Sequence, residues 1–191
     1  MNTGNVKYIQ YANRYIGVDI SLTATAMVSI DRDGDTTSII DGLGYSLPRG
    51  SGTWVDTERA KLIAGGVVDF IDDCKFAAIE GYSFASKGQS VYQIAEVGGI
   101  VRGEVLDRKW DNRPAIIPPT SMKLFVTGKG RADKAQVAVG VFKKWGFEGF
   151  DDNVVDAYAL AQMIRYSDKS LRHQLKILKY EIEALTAIGL W

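Results

Sequence analysis

A chain of 191 residues with 46% hydrophobic and 24% charged residues is long enough to bury one substantial core and short for two, so a single domain is expected. Its 23 basic and 23 acidic residues cancel, which argues against coating a polyanion by bulk electrostatics; any phosphate must be met by a local basic patch. No apolar run approaches the ~20 residues that span a bilayer, and MNTGNVKYIQYANR at the start lacks the apolar stretch of a secretory signal, so a cytosolic protein with no membrane partner is expected.

Three strand-like runs come first, at Arg14 to Ile20, Thr23 to Ile30 and Thr36 to Leu43, with the turn-forming residues Asp31 to Asp35 between the last two. They read as an antiparallel meander. From Trp54 to about Asp73 the apolar residues take helical spacing, and Phe76 to Ile79 then forms a compact run that suits a buried strand, closed by Glu80. Cys74, the single cysteine, falls at the end of that helical stretch and reads as a packed thiol. A second helix is predicted over Gln89 to Arg108 and a short strand at Ala115 to Ile117, ended by Pro118 and Pro119. Further helices are predicted over Ala132 to Trp145 and through DDNVVDAYALAQMIRY, with an amphipathic segment from Leu171 to Leu185. Strands first, then alternating helix and strand, then helices: the order favours an α/β fold, a mixed β-sheet with helices on both faces.

Asp19 interrupts the apolar strand IGVDIS and Glu80 closes AAIEGY, each placing an anion where a purely structural sequence prefers Val or Ile. Asp152 and Asp156 lie four apart, on one side of the last core helix. Were the two strands neighbours, that helix would bring its pair to the same point. Hard oxygen ligands converging in this way suit Mg²⁺ or Mn²⁺, and one histidine with one cysteine gives no support for zinc. Two such ions activate a water and stabilise a leaving oxygen, so the chemistry expected is metal-assisted phosphodiester hydrolysis. Taken singly, each acid has a structural alternative, for Asp152 above all, because a run such as Asp151-Asp152-Asn153 caps helices. Basic residues gather at Lys123, Lys129, Arg131 and Lys134 and again at Lys169, Arg172, Lys176 and Lys179, either as solvated faces or as a phosphate-binding surface.

The order of these motifs resembles the RuvC family of Holliday-junction resolvases. Gly17-Val18-Asp19-Ile20-Ser21-Leu22-Thr23 is similar to the family's first motif, Ala77-Ala78-Ile79-Glu80 to its second, Gly128-Lys129-Gly130-Arg131-Ala132-Asp133-Lys134-Ala135-Gln136-Val137 to its G-x-G-x-A-[DE]-K-x-Q-V segment, and Asp156-Ala157 with Leu160-Ala161 to its final helix. The resemblance implies an RNase H-like nuclease domain at 14–167, between an N-terminal extension (1–13) and a C-terminal helical extension (168–191). It implies a homodimer that binds branched DNA, four-way junctions foremost, and nicks two strands with two Mg²⁺ ions per site and no nucleotide cofactor. Asp19, Glu80 and Asp156 would be the metal ligands. The family has a further acid or histidine three residues before the last aspartate, where this chain has Asn153; either Asp152 supplies the fourth carboxylate or an amide takes its place. Lys123 and Lys134 would lie near the scissile phosphate, Lys134 as part of the catalytic set, with Lys129 and Arg131 as further DNA contacts. An aromatic shortly after the glutamate stacks at the junction centre in the family, and Tyr82 and Phe84 are the candidates, with a ring folded over the metal site as the other reading.

Divergent relatives, including those of phages and organelles, act on flaps and forks as well, so the same motifs also fit a broad branch nuclease; a catalytically silent branch-binding module is the third reading. An actin-like phosphotransferase shares the first motif in outline but needs further glycine-rich phosphate loops, which are not found. Helix Gln89 to Arg108 carries Ile94, Val97, Gly98, Val101 and Val105 at three- and four-residue steps. That stripe faces either the sheet or a second copy of the chain. In the second case a charge at Val97 or Val101 weakens a dimer.

Overall fold

In a computed structural model, residues 13–44, 53–72, 74–81, 89–108 and 113–191 are described. Among them are five strands, β1 (Tyr15–Asp19), β2 (Thr25–Ile30), β3 (Thr36–Leu43), β4 (Phe76–Glu80) and β5 (Ala115–Ile117). The helices are α1 (Thr53–Ile71), α2 (Gln89–Asp107), α3 (Pro119–Thr127), α4 (Lys134–Trp145), α5 (Asp152–Ser167) and α6 (Lys179–Thr186). The strands form one sheet in the order β3-β2-β1-β4-β5. β1 pairs antiparallel with β2 and parallel with β4, and β4 pairs parallel with β5. This is the expected meander extended by two parallel strands, a mixed sheet. None of its described helices is long and apolar enough to cross a membrane.

Alternation along β1 sorts the core into two layers. Ile16, Val18 and Ile20 pack with α1 and α2, while Tyr15 joins the layer built on α5, where Ala157 to Ala161 are fully or nearly fully buried. Helices therefore cover both faces. The hairpin between β2 and β3 is fastened to α5: Asp31 Oδ1 accepts the backbone N–H groups of Asp33, Gly34 and Asp35, and the Arg165 guanidinium donates to the carbonyls of Arg32 and Asp33 at 2.7 and 2.9 Å.

Two sequence readings are corrected, and one left open, the side served by the α2 stripe, is decided. The prolines that end β5 also start a helix, α3, in which Pro119 occupies the first turn, where its missing N–H costs nothing; Gly128 ends it at φ 75°. The segment from Leu171 to Leu185 is not one helix: a 3-10 turn at Lys169–Leu171 comes first, and only Lys179–Thr186 is α-helical. The α2 stripe serves the chain itself, because Val97, Val101 and Val105 are buried in the layer that also holds Ala60, Ile63 and Val67 of α1. A charge at Val97 or Val101 would thus disrupt the fold before any dimer. Cys74 lies just past the end of α1, half-buried and partly packed on the same layer.

The residues after 167 share the main core. Leu171, Ala184 and Leu185 are buried in the α5 layer, and Asp168 accepts hydrogen bonds from Tyr15 at 2.5 Å and pairs with Lys75 at 2.6 Å. A second tie is a buried ion pair. Lys144 of α4 donates to Glu181 of α6 and to the Phe125 carbonyl (2.7 Å), its ammonium lying 5.0–5.1 Å from the ring centres of Phe125, Trp145 and Tyr180. Burial pulls the Lys144 pKa down, and Glu181 only partly restores it. Glu181→Ala should therefore cost about 3–5 kcal/mol in urea unfolding, by leaving a buried cation unpaired, and the Lys144→Met/Glu181→Ala double variant should lose less than the sum of the single losses. Additive losses would show the pair to be uncoupled.

Candidate active site

The site begins with a missing side chain. Gly17 lies two residues before Asp19 on the same face of β1, and a Cβ there would fall 1.9 Å from the Ala157 carbonyl oxygen and 2.5 Å from the Ala161 nitrogen. Without it, the backbone of α5 rests directly on the strand. Asp156, one residue before Ala157, is thereby delivered to the end of β1 where Asp19 stands. The parallel pairing of Val18 with Ile79 sets Glu80 beside Asp19 on the neighbouring strand. Asp19 is 7% exposed, whereas Glu80 and Asp156 are half-buried.

The turn after β1 is built to hold this end still. Ser21 Oγ accepts from the N–H groups of Thr23 and Ala24, and Thr25 Oγ1 donates to the Ser21 carbonyl at 2.5 Å while accepting from its N–H. The Ser-Leu-Thr-Ala-Thr run is thus a self-bonded loop. Asn153 Nδ2 donates to the Ala24 carbonyl at 3.3 Å, tying the start of α5 to the same turn.

Electrostatics set the three carboxyl groups apart from surface acids. Burial, then the neighbouring Glu80 charge and the hydrogen bond to it, holds Asp19 well above the usual carboxylate range. Glu80 is also raised, by burial first and by the charge on Asp156, against the hydrogen bond from Asp19. Burial and the Asp19 charge push Asp156 up to about 7. Lys123 and Lys134 oppose these shifts at both Glu80 and Asp156, so both lysines lie close enough for their charges to act on the cluster. Lys134 itself lies above its ordinary value: partial burial works to lower it, and Asp152, Asp156 and Asp19 more than offset this.

The remaining sequence candidates divide. Asp152 is exposed and pairs with Lys134 at 3.3 Å, and its charge also helps to raise Asp156. Asn153 spends its amide on Ala24. The cap of α5 is Asp151, whose Oδ1 accepts the Asn153 N–H at 2.7 Å, and its charge also acts on Asp19. Sequence reading missed that role, although the Asp-Asp-Asn start carried its signal. Lys129 and Arg131 are exposed in the loop joining α3 to α4, Lys129 at the mouth of a groove of about 530 Å³ shared with Lys143 and Tyr180. Tyr82 and Phe84 lie outside the described residues.

Among the described residues no three carboxylate, imidazole or thiol side chains are drawn closely enough together to enclose an ion. What fits is the donor chemistry. Asp19, Glu80 and Asp156 are oxygen donors that burial and mutual repulsion keep from ionising together, and a divalent cation is what would let them do so.

A family model described as crossover junction endodeoxyribonuclease RuvC matches residues 15–164. The chain belongs to the RuvC family. That span runs from the first residue of β1 into the last turns of α5, so it takes in all three clustered acids and both lysines. The Thermus thermophilus RuvC structure is 17% identical with a TM-score of 0.62, covering 86% of this chain and 99% of that one. T. thermophilus RuvC in complex with a Holliday junction substrate is 16% identical with a TM-score of 0.63, covering 87% and 99%. At that identity the likeness is one of fold, and the fold is the RNase H-like α/β architecture of RuvC. No curated protein matches the chain.

Proposed function

We propose that this RuvC-family chain is a divalent-metal-dependent endonuclease that cuts branched DNA, four-way junctions foremost, as a homodimer. The observation that carries the reading is the trio of buried Asp19 with half-buried Glu80 and Asp156, its charges opposed by Lys123 and Lys134. A structural sequence would not set three mutually repelling acids together at the margin of a core without a use for them. The match to a RuvC–junction complex supports the substrate class. In this reading Asp19, Glu80 and Asp156 hold Mg²⁺ or Mn²⁺, two ions per site. Asp152 completes the set by turning inward from Lys134, or the Asn153 amide does. Metal bound there supplies an activated water and charge stabilisation at the leaving oxygen. Lys134 and Lys123 orient the scissile phosphate and stabilise the negative charge that builds on it, with Lys129 and Arg131 engaging the backbone further out.

Two symmetric nicks need two sites at fixed separation, which an isologous dimer provides. The outward side of α2, where Tyr92 and Leu106 are exposed and a Cβ at Gly103 would meet open space, is the contact face proposed for it.

The test is a synthetic four-way junction on a denaturing gel, with Mg²⁺ and then with EDTA. Paired nicks within one binding event, abolished by EDTA, are expected. Single nicks on flaps and forks at equal rate would move the substrate to branches in general. Binding without cleavage under either condition would leave a silent branch-binding module.

A further inference from the structure

We infer that Phe150 is a base-stacking residue beside the cleavage centre, a reading that rests on the nuclease function proposed above. Phe150 is 73% exposed. A lone apolar side chain on a surface is ordinary, but this one stands on a loop that the fold has taken care to fix.

α4 ends at Gly146, which takes φ 69° and donates its N–H to the Phe142 carbonyl at 2.8 Å. The next residue, Phe147, stacks on Tyr158 of α5 with ring centres 3.9 Å apart and planes 2° from parallel. Gly149 presses against α5 so closely that a Cβ would fall 2.6 Å from Val155 Cγ2. Asp151 caps the helix. Residues on both sides of Phe150 are thus anchored to α5 while its ring faces water. Ordering this loop costs conformational entropy, and the exposed ring returns nothing to the fold in exchange.

Its place in the chain gives that ring a use. Phe150 is two residues before Asp152, so its Cα is within about 7 Å of that residue's, and Asp152 is in contact with Lys134, one of the two lysines whose charges act on the acid cluster. A phosphate held by Lys134 would put its own nucleotide within reach of the Phe150 ring. Trp54 and Tyr92 are more exposed, at 79% each, but they belong to α1 and α2, the layer on the opposite side of the sheet from α5. The ligand class that fits a fixed, exposed aromatic next to a phosphate-binding lysine is an unpaired or splayed nucleobase.

The experiment places 2-aminopurine, one position at a time, at each nucleotide within three of the branch point of a four-way junction. It compares wild type with Phe150→Ala, Phe150→Leu and Phe150→Trp, reading fluorescence in EDTA and single-turnover cleavage in Mg²⁺. Wild type and Phe150→Trp should quench one of these positions, and Phe150→Ala and Phe150→Leu should not. Cleavage by the alanine and leucine variants should fall about 5- to 150-fold, the equivalent of one lost base stack, with thermal midpoints unchanged. Quenching that is the same in all four proteins, a leucine variant as good as wild type, or a shift in self-association with Phe150→Ala would overturn the assignment. Wild-type cleavage with no dependence on Phe150 removes the stacking alone. Quenching that follows Phe150 in a wild type that never cleaves keeps the stacking and removes the nuclease.

Discussion

Asp156→Asn is expected to do two opposite things: to lower metal-dependent cleavage by on the order of 10² or more, and to make the metal-free protein more stable near pH 8. The first follows from losing an anionic oxygen donor, the second from a shift in proton affinity. Burial and the Asp19 charge raise the Asp156 carboxyl from 3.8 to about 7 in the folded chain. Between about pH 4 and 7 the native state therefore holds a proton that the unfolded chain has released. Stability then falls as pH rises, because the unfolded state binds fewer protons. The favourable contribution is complete below the unfolded pKa and gone once the pH has passed through the folded one. An asparagine does not titrate, so in EDTA the variant's thermal midpoint should decline less than that of wild type over this window and stand above it at pH 8. Mg²⁺ should raise the wild-type midpoint at pH 8, since a ligand that binds only the native state stabilises it, and should do much less for the variant. A wild type whose EDTA stability climbs between pH 4 and 7, or a variant that cuts junctions at the normal rate, would separate Asp156 from the metal site.

What was legible in the sequence is what a single element announces by itself. Asp19 and Glu80 could be read because each breaks an apolar strand, and an acid in such a place needs a partner whatever the fold. Asp156 could be read from helical spacing, but the same spacing gave Asp152 equal standing. Four residues apart puts two side chains on one side of a helix, yet it does not say how far along the helix the sheet reaches. Asp156 is half-buried and repels Asp19, while Asp152, in the first turn, is exposed and paired with Lys134. The α2 stripe stayed open for a related reason: Val97, Val101 and Val105 have the spacing of any buried face, and only tertiary contact tells a chain's own layer from a partner's. α3 escaped because it is 9 residues long and starts on prolines that also end a strand. Asp151 was noticed only as part of a capping run, since its effect on Asp19 acts across space and leaves no trace in spacing.

Gly17 opens the first motif, although spacing alone does not say why a glycine is needed there, and its replacement should have the largest effect on the fold and the site together. A Cβ at this position would meet the Ala157 carbonyl oxygen at 1.9 Å, the Ala161 nitrogen at 2.5 Å and Leu160 Cβ at 2.9 Å. None of these atoms is the free end of a flexible side chain, so relief requires α5 to move as a body, by about 1 Å or more. Overpacking of this kind costs roughly 1–3 kcal/mol and sometimes more. The functional loss should exceed what the stability loss explains. Asp156 rides on the turn of α5 that has to move, and a displacement of about 1 Å at a reacting centre can cost on the order of 10²-fold in rate. Gly17→Ala should therefore unfold at lower urea concentration and, assayed at a temperature where it is fully folded, cleave far more slowly than wild type. Gly65→Ala is the matched control, because a Cβ there meets nothing within 4 Å. An alanine at this half-buried position of α1, where there is room for its Cβ, should be neutral or stabilising by about 0.5–1 kcal/mol. If Gly17→Ala proved as stable and as active as Gly65→Ala, the close seat of α5 on β1 could not be what brings Asp156 to Asp19.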